Sequence, residues 1–331
     1  MEKRRRMLAA LGLCALAAPL GAFAQQPARV RRIGFLAARS RSSAANPDVY
    51  YDAFIQGMRE HGYVEGKNLI TEWRYAEQKN ERLAELADEL VRLKVELIVT
   101  HGTQAVQAAQ RAAGSIPIVV AAVIDPVANG FALSMARPGR NITGLALVSS
   151  DASPKHMELL KLLLPKLSRV AVLVNPGNSG HLAVMKSLEA AAQKVGAKTL
   201  PTAASNPEEI ERSFAAAKRE RADAVIILTD SFFIGQRRQI AALAAKHRLA
   251  SMFSYREDVA AGGLMSYGQN LADYYRQAAS YVDKILKGAK AGDLPIEQPA
   301  RFHLAVNRKT AKALGLALPQ ELLLRADEVI E

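Results

Sequence analysis

Two places in the sequence bring together groups suited to holding opposite charges. At residues 99–110, VTHGTQAVQAAQ, an apolar run stops at Gly102-Thr103 and continues in a small-residue helical pattern. Thr103, Gln104 and Ala105 then begin a helix whose free N–H groups and positive dipole end suit a carboxylate. At residues 222–230, ADAVIILTD, a second apolar run ends in Asp230, followed by Ser231. A carboxylate at such an edge can meet a ligand cation where partial desolvation strengthens the pairing. Each place also has a plain structural alternative. Thr103 can simply cap its helix, and Asp230 can cap a helix near Gly235. As a pair they fit an amino acid or similar zwitterion, its carboxylate on residues 103–105 and its ammonium near Asp230.

Other strand ends add candidates at the same kind of edge. Ser40-Arg41 follow RIGFLA, Asp125-Pro126 follow IPIVVAAV, and Asn175, Asn178 and Ser179 lie in NPGNS. Tyr255 ends SMFSY and Tyr267 lies in LMSYG, while Phe232-Phe233 beside Asp230 can form an apolar wall or belong to the core. Asp125 can equally serve as a cap, and the others are as suited to structural roles as to ligand contact.

Catalytic patterns are not met. Ser179 sits in GNSGH, which lacks the final glycine of a nucleophile elbow. GYVEGKN has the wrong glycine spacing for a phosphate loop and carries Asn68 in place of Ser or Thr. The six histidines are dispersed without metal-ligand spacing. Neither a metal nor a cofactor is therefore expected. The net charge is +12, but the first 24 residues hold four basic residues and one acidic one, and without them the balance is +9. The remaining basic residues are scattered among acids with no aromatic interleaving, so a nucleic-acid surface is not expected.

The N-terminus sets the compartment. MEKRRRMLAALGLCALAAPLGAFAQQ has a basic start, an apolar stretch from Met7 to about Leu20, and Ala22-Phe23-Ala24 in the small-x-small cleavage pattern. Residues 1–24 read as a secretory signal cleaved near Ala24, delivering the chain to the periplasm; an uncleaved anchor is the alternative. The apolar stretch is shorter than a spanning helix, and no later segment supplies one. Cys14 is the sole cysteine, and Leu13 stands where a lipoprotein signal needs a small residue. A mature chain without cysteine has no disulfide framework, thiol nucleophile or zinc-thiolate site.

These candidates must be positioned by the elements between them, which alternate with few interruptions. Arg32–Ala37 reads as a strand, Val49–Glu60 as a helix ended by Gly62, and Leu69–Tyr75 as a strand followed by a helix that Asn80 can cap. Val95–Thr100 and 116–123 continue the series. A second series opens with RVAVLVN (169–175), a helix from about Ser179 to Val195, AKTLP, and a helix that Asn206 can cap. Continuous apolar runs alternating with helices imply parallel sheets covered on both faces, giving an α/β chain of two doubly wound units. A strand-like connection between them lies near Asn141–Ser150, NITGLALVSS.

Six stretches spread over nearly the whole chain carry a family resemblance: HGYVEGKNL (61–69), VTHGTQAVQAA (99–109), DPVANGF (125–131), ARPGRNITGL (136–145), the long run from Gly262 to Pro299, and NRKTAKALGLALP (307–319). In this order they resemble the tryptophan- and tyrosine-transporter type of ABC substrate-binding protein. The resemblance implies a type I periplasmic binding fold, with two Rossmann-like lobes of parallel sheet joined by a hinge that several chain segments cross. One lobe is expected to comprise 30–146 with about 271–300, and the other 147–270 with about 301–331. A small ligand would be held in the interlobe cleft and delivered to an ABC permease in the inner membrane by a monomeric, non-catalytic receptor. An exported hydrolase or transferase using the same cleft, and a sensory ligand-binding module, stay open beside it.

Overall fold

The computed structural model describes residues 30–41 and 48–331; the expected signal at 1–24, with Cys14, lies outside the described residues. The apolar run Ile118–Ile124, rich in β-branched side chains, forms a strand buried at every position. Five strands make the first sheet: β1 Arg31–Ala37, β2 Leu69–Tyr75, β3 Ile98–Thr100, β4 Ile118–Ile124 and β5 Ile142–Leu147. All its pairings are parallel, in the order β2-β1-β3-β4-β5. The second sheet contains β6 Arg169–Val174, β7 Lys198–Ala203, β8 Ala224–Ile227, β9 Ala250–Phe253, β10 Met265–Gly268, β11 His303–Asn307 and β12 Glu328–Ile330, in the order β7-β6-β8-β9-β10-β11-β12.

The helices follow their caps and apolar faces. Helix α1, Val49–Glu60, starts where the Asp48 carboxylate accepts the Tyr50 and Tyr51 amides. Helix α2, Leu83–Arg92, buries Leu83, Leu86, Ala87 and Leu90 along one stripe. Asn80 does not cap it, because residues 80–82 form a 3₁₀ turn and the helix begins afterwards without a side-chain cap. Helix α3 is Thr103–Ala112, α4 is Ser149–Leu163 and α5 is His181–Lys194. The last starts two residues later than expected because Asn178 and Gly177 donate their amides to Asn175 and hold 175–178 as a turn. Asn206 caps α6, Pro207–Arg219, through the Glu209 amide, with Pro207 in the first turn.

The chain passes between the sheets at three places. It leaves β5 and enters α4, which packs under the second sheet. It returns after β10 through α10, Leu271–Leu286, which lies on α1 and β4. It crosses again at 297–303, where Glu297 exchanges backbone hydrogen bonds with Gly144 and Ala146 of β5 before the chain enters β11. The second sheet is not wholly parallel: β11 runs antiparallel to β10, with Met265 opposite Val306 and Gly268 opposite His303. A parallel neighbour needs a crossover returning to the same end, and this segment arrives from the other sheet.

Candidate functional site

In each sheet the strand order reverses once: β2 and β3 flank β1, and β7 and β8 flank β6. Chain segments diverge at such a switch point, leaving a crevice beyond the strand carboxyl ends. Both reversals open on the same place. Arg39 and His101 follow β1 and β3, while Asn175 and Asp230 follow β6 and β8.

Gly102 starts α3 with φ +85°, a backbone region that favours glycine. A Cβ there would stand 2.5 Å from the Ser231 hydroxyl, so the missing side chain also allows close approach from the other lobe. Thr103 is the first helical residue rather than the cap. Its hydroxyl is buried, with the residue only 1% exposed, and has no partner among the described residues. The amides of Thr103, Gln104 and Ala105 likewise have none there; the first intrahelical bond runs from the Val106 amide to the Gly102 carbonyl.

Asp230 is 3% exposed and caps the short helix α7, Ser231–Gly235, by accepting the Phe232 amide at 2.8 Å. Its carboxylate also accepts from Asn175 Nδ2 at 3.1 Å, Asn178 Nδ2 at 2.8 Å and, from the opposite lobe, Gln104 Nε2 at 3.3 Å. The two asparagines are oriented by taking the Gly177 and Gly180 amides on their own oxygens. All four partners of Asp230 are neutral. Behind them His181 Nδ1 accepts the Asn175 amide and Nε2 donates to the Thr229 carbonyl, which fixes a neutral tautomer. Burial holds this histidine below its ordinary pKa against the opposing pull of Asp230.

Arg39, one residue before the expected Ser40-Arg41 pair, is the buried cation of the first lobe. It grips Asp48 with Nε at 2.9 Å and Nη2 at 3.1 Å, and Nη1 donates to the Tyr275 hydroxyl at 3.2 Å. The guanidinium lies 4.8–5.7 Å from the ring centres of Tyr50, Tyr51 and Tyr275. Its sequence cue is slight: an arginine just past a buried strand, with an acidic helix cap nine residues on. Ser40 is half-buried beside it, whereas Arg41 is exposed and donates its amide to Glu77.

A cavity of about 490 Å³ opens between the lobes here, lined by Arg39, Ser40, Asp48 and Tyr50 on one side and Arg237 and Glu257 on the other. The Tyr50 hydroxyl bridges it, donating to Glu257 Oε2 at 3.1 Å and accepting from Arg237 Nη2 at 3.2 Å. Arg237 also lies 3.3 Å from Asp258, whose carboxyl burial pushes up to about 7 despite that cation.

The remaining candidates divide. Tyr255 is buried with its ring 6.4 Å from that of Tyr50. Ser179 joins the rims of the two lobes, donating to Asn129 and accepting from Gln107 at 3.4 Å. Asp125, at φ +43°, accepts the Ala128 amide at 3.0 Å and closes its own turn, with Pro126 buried behind it. Tyr267 stacks on Phe302 at 5.1 Å and meets His156, so it is not brought to the Asp230 cluster. Phe232 and Phe233 pack into the second lobe's core with Phe214 and Phe253. No group of three His, Cys, Asp or Glu side chains able to hold a metal converges among the described residues, and no helix among them is long and apolar enough to cross a membrane.

Comparison with known proteins agrees with this architecture. A family model described as ABC transporter substrate binding protein matches residues 43–330. A tyrosine-binding protein of Clostridioides difficile is 26% identical over 264 residues, covering 80% of this chain and 75% of that one. A conserved domain protein from Vibrio cholerae superposes with a TM-score of 0.84 at 26% identity, over 91% of this chain and 100% of its own. The structure of an ABC domain in complex with L-Trp, from a pneumococcal Streptococcus, superposes at 0.83 with 23% identity and the same coverage.

Proposed function

The chain belongs to the family of ABC transporter substrate-binding proteins, and from that membership and the chemistry of its cleft we propose that it captures an amino acid in zwitterionic form. It is an extracytoplasmic solute receptor of an ABC transporter. One observation carries the ligand reading: Asp230 is buried among four neutral donors, one of them the side chain of Gln104 at 3.3 Å, and Gln104 belongs to the first turn of α3, where three amides and the Thr103 hydroxyl have no partner among the described residues. An ammonium supplies the opposite charge a buried carboxylate otherwise lacks. A carboxylate takes the helix amides and dipole. The relatives named for tyrosine and complexed with L-Trp support the same class.

In this reading Thr103, Gln104, Ala105 and Asp230 touch the ligand, Gly102 and Ser231 let the lobes approach, and Asn175 and Asn178 act by holding Asp230. The aromatic groups Tyr50 and Tyr255 face an apolar or aromatic ligand side chain. Ligand binds one lobe, and contacts from the other stabilise the closed form, which an inner-membrane permease accepts from a monomer. The cleft binds without turnover, and the chain reaches the periplasm after cleavage near Ala24, which the MEKRRR start and the Ala22-Phe23-Ala24 pattern support.

Calorimetry of the mature chain against the amino acids, sugars and nucleobases tests the ligand class. Saturable binding of an amino acid, released unaltered, is the expected result. Tight binding restricted to a neutral sugar or an uncharged base contradicts it.

A further inference from the structure

We propose that His101 is a positioning residue that latches the closed cleft, accepting the Ser231 hydroxyl across the two lobes only while its ring is neutral. His101 follows β3 of the first sheet and Ser231 begins α7 beyond β8 of the second, yet Nδ1 and Oγ lie 3.2 Å apart. The same Nδ1 faces Arg39 Nη1 at 3.4 Å. A guanidinium has donors and no acceptor, so Nδ1 presents its lone pair and the Ser231 hydroxyl must donate to it. The other side chain recorded against the ring is Tyr275 on α10, its ring centre 5.5 Å away. No carboxylate pairs with the ring among the described residues. Gly102, next to His101, leaves the space into which the Ser231 hydroxyl fits.

A protonated ring cannot accept that hydroxyl and stands against Arg39 as a second cation. Burial first, and the Arg39 charge second, keep the ring neutral in the closed arrangement. When the lobes part, Ser231 withdraws and water reaches the ring, so the proton binds the open form preferentially. Acid therefore opens the cleft, and affinity falls as the ring of the open form, still beside Arg39 but exposed to water, takes up its proton. The direction suits a receptor that holds its ligand near neutrality and lets it go in a more acidic setting.

The inference rests on the interlobe cleft being the ligand site, and its test separates the two readings. In mature protein exported and processed by its host, Arg111→Cys and Lys186→Cys place spin labels on α3 and α5 of opposite lobes, read by pulsed electron resonance at pH 7.5 and 5.5. Calorimetry with L-tyrosine runs in parallel. In the otherwise unchanged chain the Kd is expected to rise severalfold between these pH values, with the closed distance losing population; linkage to one proton limits the rise to about tenfold per pH unit. Ser231→Ala is expected to lower the closed population at pH 7.5, and His101→Asn, which keeps an acceptor that cannot be protonated, to flatten the pH profile to less than about twofold. A closed population insensitive to acid, or a pH profile that persists in His101→Asn, overturns the latch. Failure of L-tyrosine to bind while the closed distance still responds to acid through His101 removes tyrosine as the ligand and leaves the latch standing.

Discussion

Gln104 Nε2 stands 3.3 Å from Asp230 Oδ2, so the first turn of a helix in one lobe and the cap of a helix in the other share a hydrogen bond across the cleft. Neither residue could make this bond from its own sheet alone. It ties the buried Asp230 carboxylate of the second lobe to the helix start of the first, the two groups to which the proposed zwitterion reading assigns the ligand's charges.

Replacing Asp230 with Asn keeps an oxygen for the Phe232 amide, and so keeps the cap, but removes the charge. Losing one partner of a buried charge pair costs about 2–5 kcal/mol. Asp230→Asn is therefore expected to weaken amino acid binding at least tenfold, by calorimetry, and also to lower the thermal midpoint, because its amide nitrogen would face the donors Asn178 Nδ2 and Gln104 Nε2. Equal affinity in the variant would remove the ammonium from Asp230.

Gly102→Ala acts twice. The φ of +85° strains any residue with a Cβ by about 1–3 kcal/mol, and that Cβ would press on the Ser231 hydroxyl when the lobes close. Unfolding in urea should show the first effect without ligand. Titration with ligand should show the second as a further loss of about tenfold in affinity. A variant that loses stability but binds as before would place the closed lobes farther apart than this.

Much of the scaffold was legible because its signals are local. Val49–Glu60 and Leu69–Tyr75 have the bounds their patterns imply, set by the apolar periodicity of each and by the cap at Asp48. Asp230 stood out as the end of an apolar run. Arg39 did not, because in ARSRSS nothing local separates it from Arg41; only Asp48 and three tyrosines, the last of them Tyr275, 236 residues away, make one buried and leave the other exposed. The antiparallel β11 was equally hidden, since its direction depends on where the chain enters the sheet and not on its own residues. Asn80 had the chemistry of a cap, but the tight turn it occupies delays the helix beyond its reach.

Arg39→Ala is expected to destabilise the protein by about 1–3 kcal/mol, because it removes a charge-assisted fork on Asp48 and a cation packed against three tyrosine rings. Arg39→Lys should not restore the loss, since an ammonium cannot grip both carboxylate oxygens while lying against three aromatic rings. Urea unfolding of the two variants beside the parent measures this directly. Full recovery by lysine would mean that charge alone, without the planar fork, holds the start of α1.

Stability should fall as the solution is acidified from pH 7.5 to 5.5, and the sign follows from opposing groups. His101, His156 and His181 are held below their ordinary pKa chiefly by burial. The unfolded chain therefore takes up their protons first, and stability present above about pH 6.5 is lost below it, by up to about 1.4 kcal/mol per pH unit for each group. Asp258 works in reverse. Burial raises its folded carboxyl to about 7, so it favours the folded state at low pH and loses that contribution as pH rises toward 7. Three groups outweigh one, and acid wins. Asp258→Asn removes the opposing group and is expected to lose more stability over the same interval than the parent does. Urea unfolding free energies at both pH values decide the matter: a flat profile would contradict the buried neutral histidines, and identical losses in parent and variant would contradict the raised carboxyl.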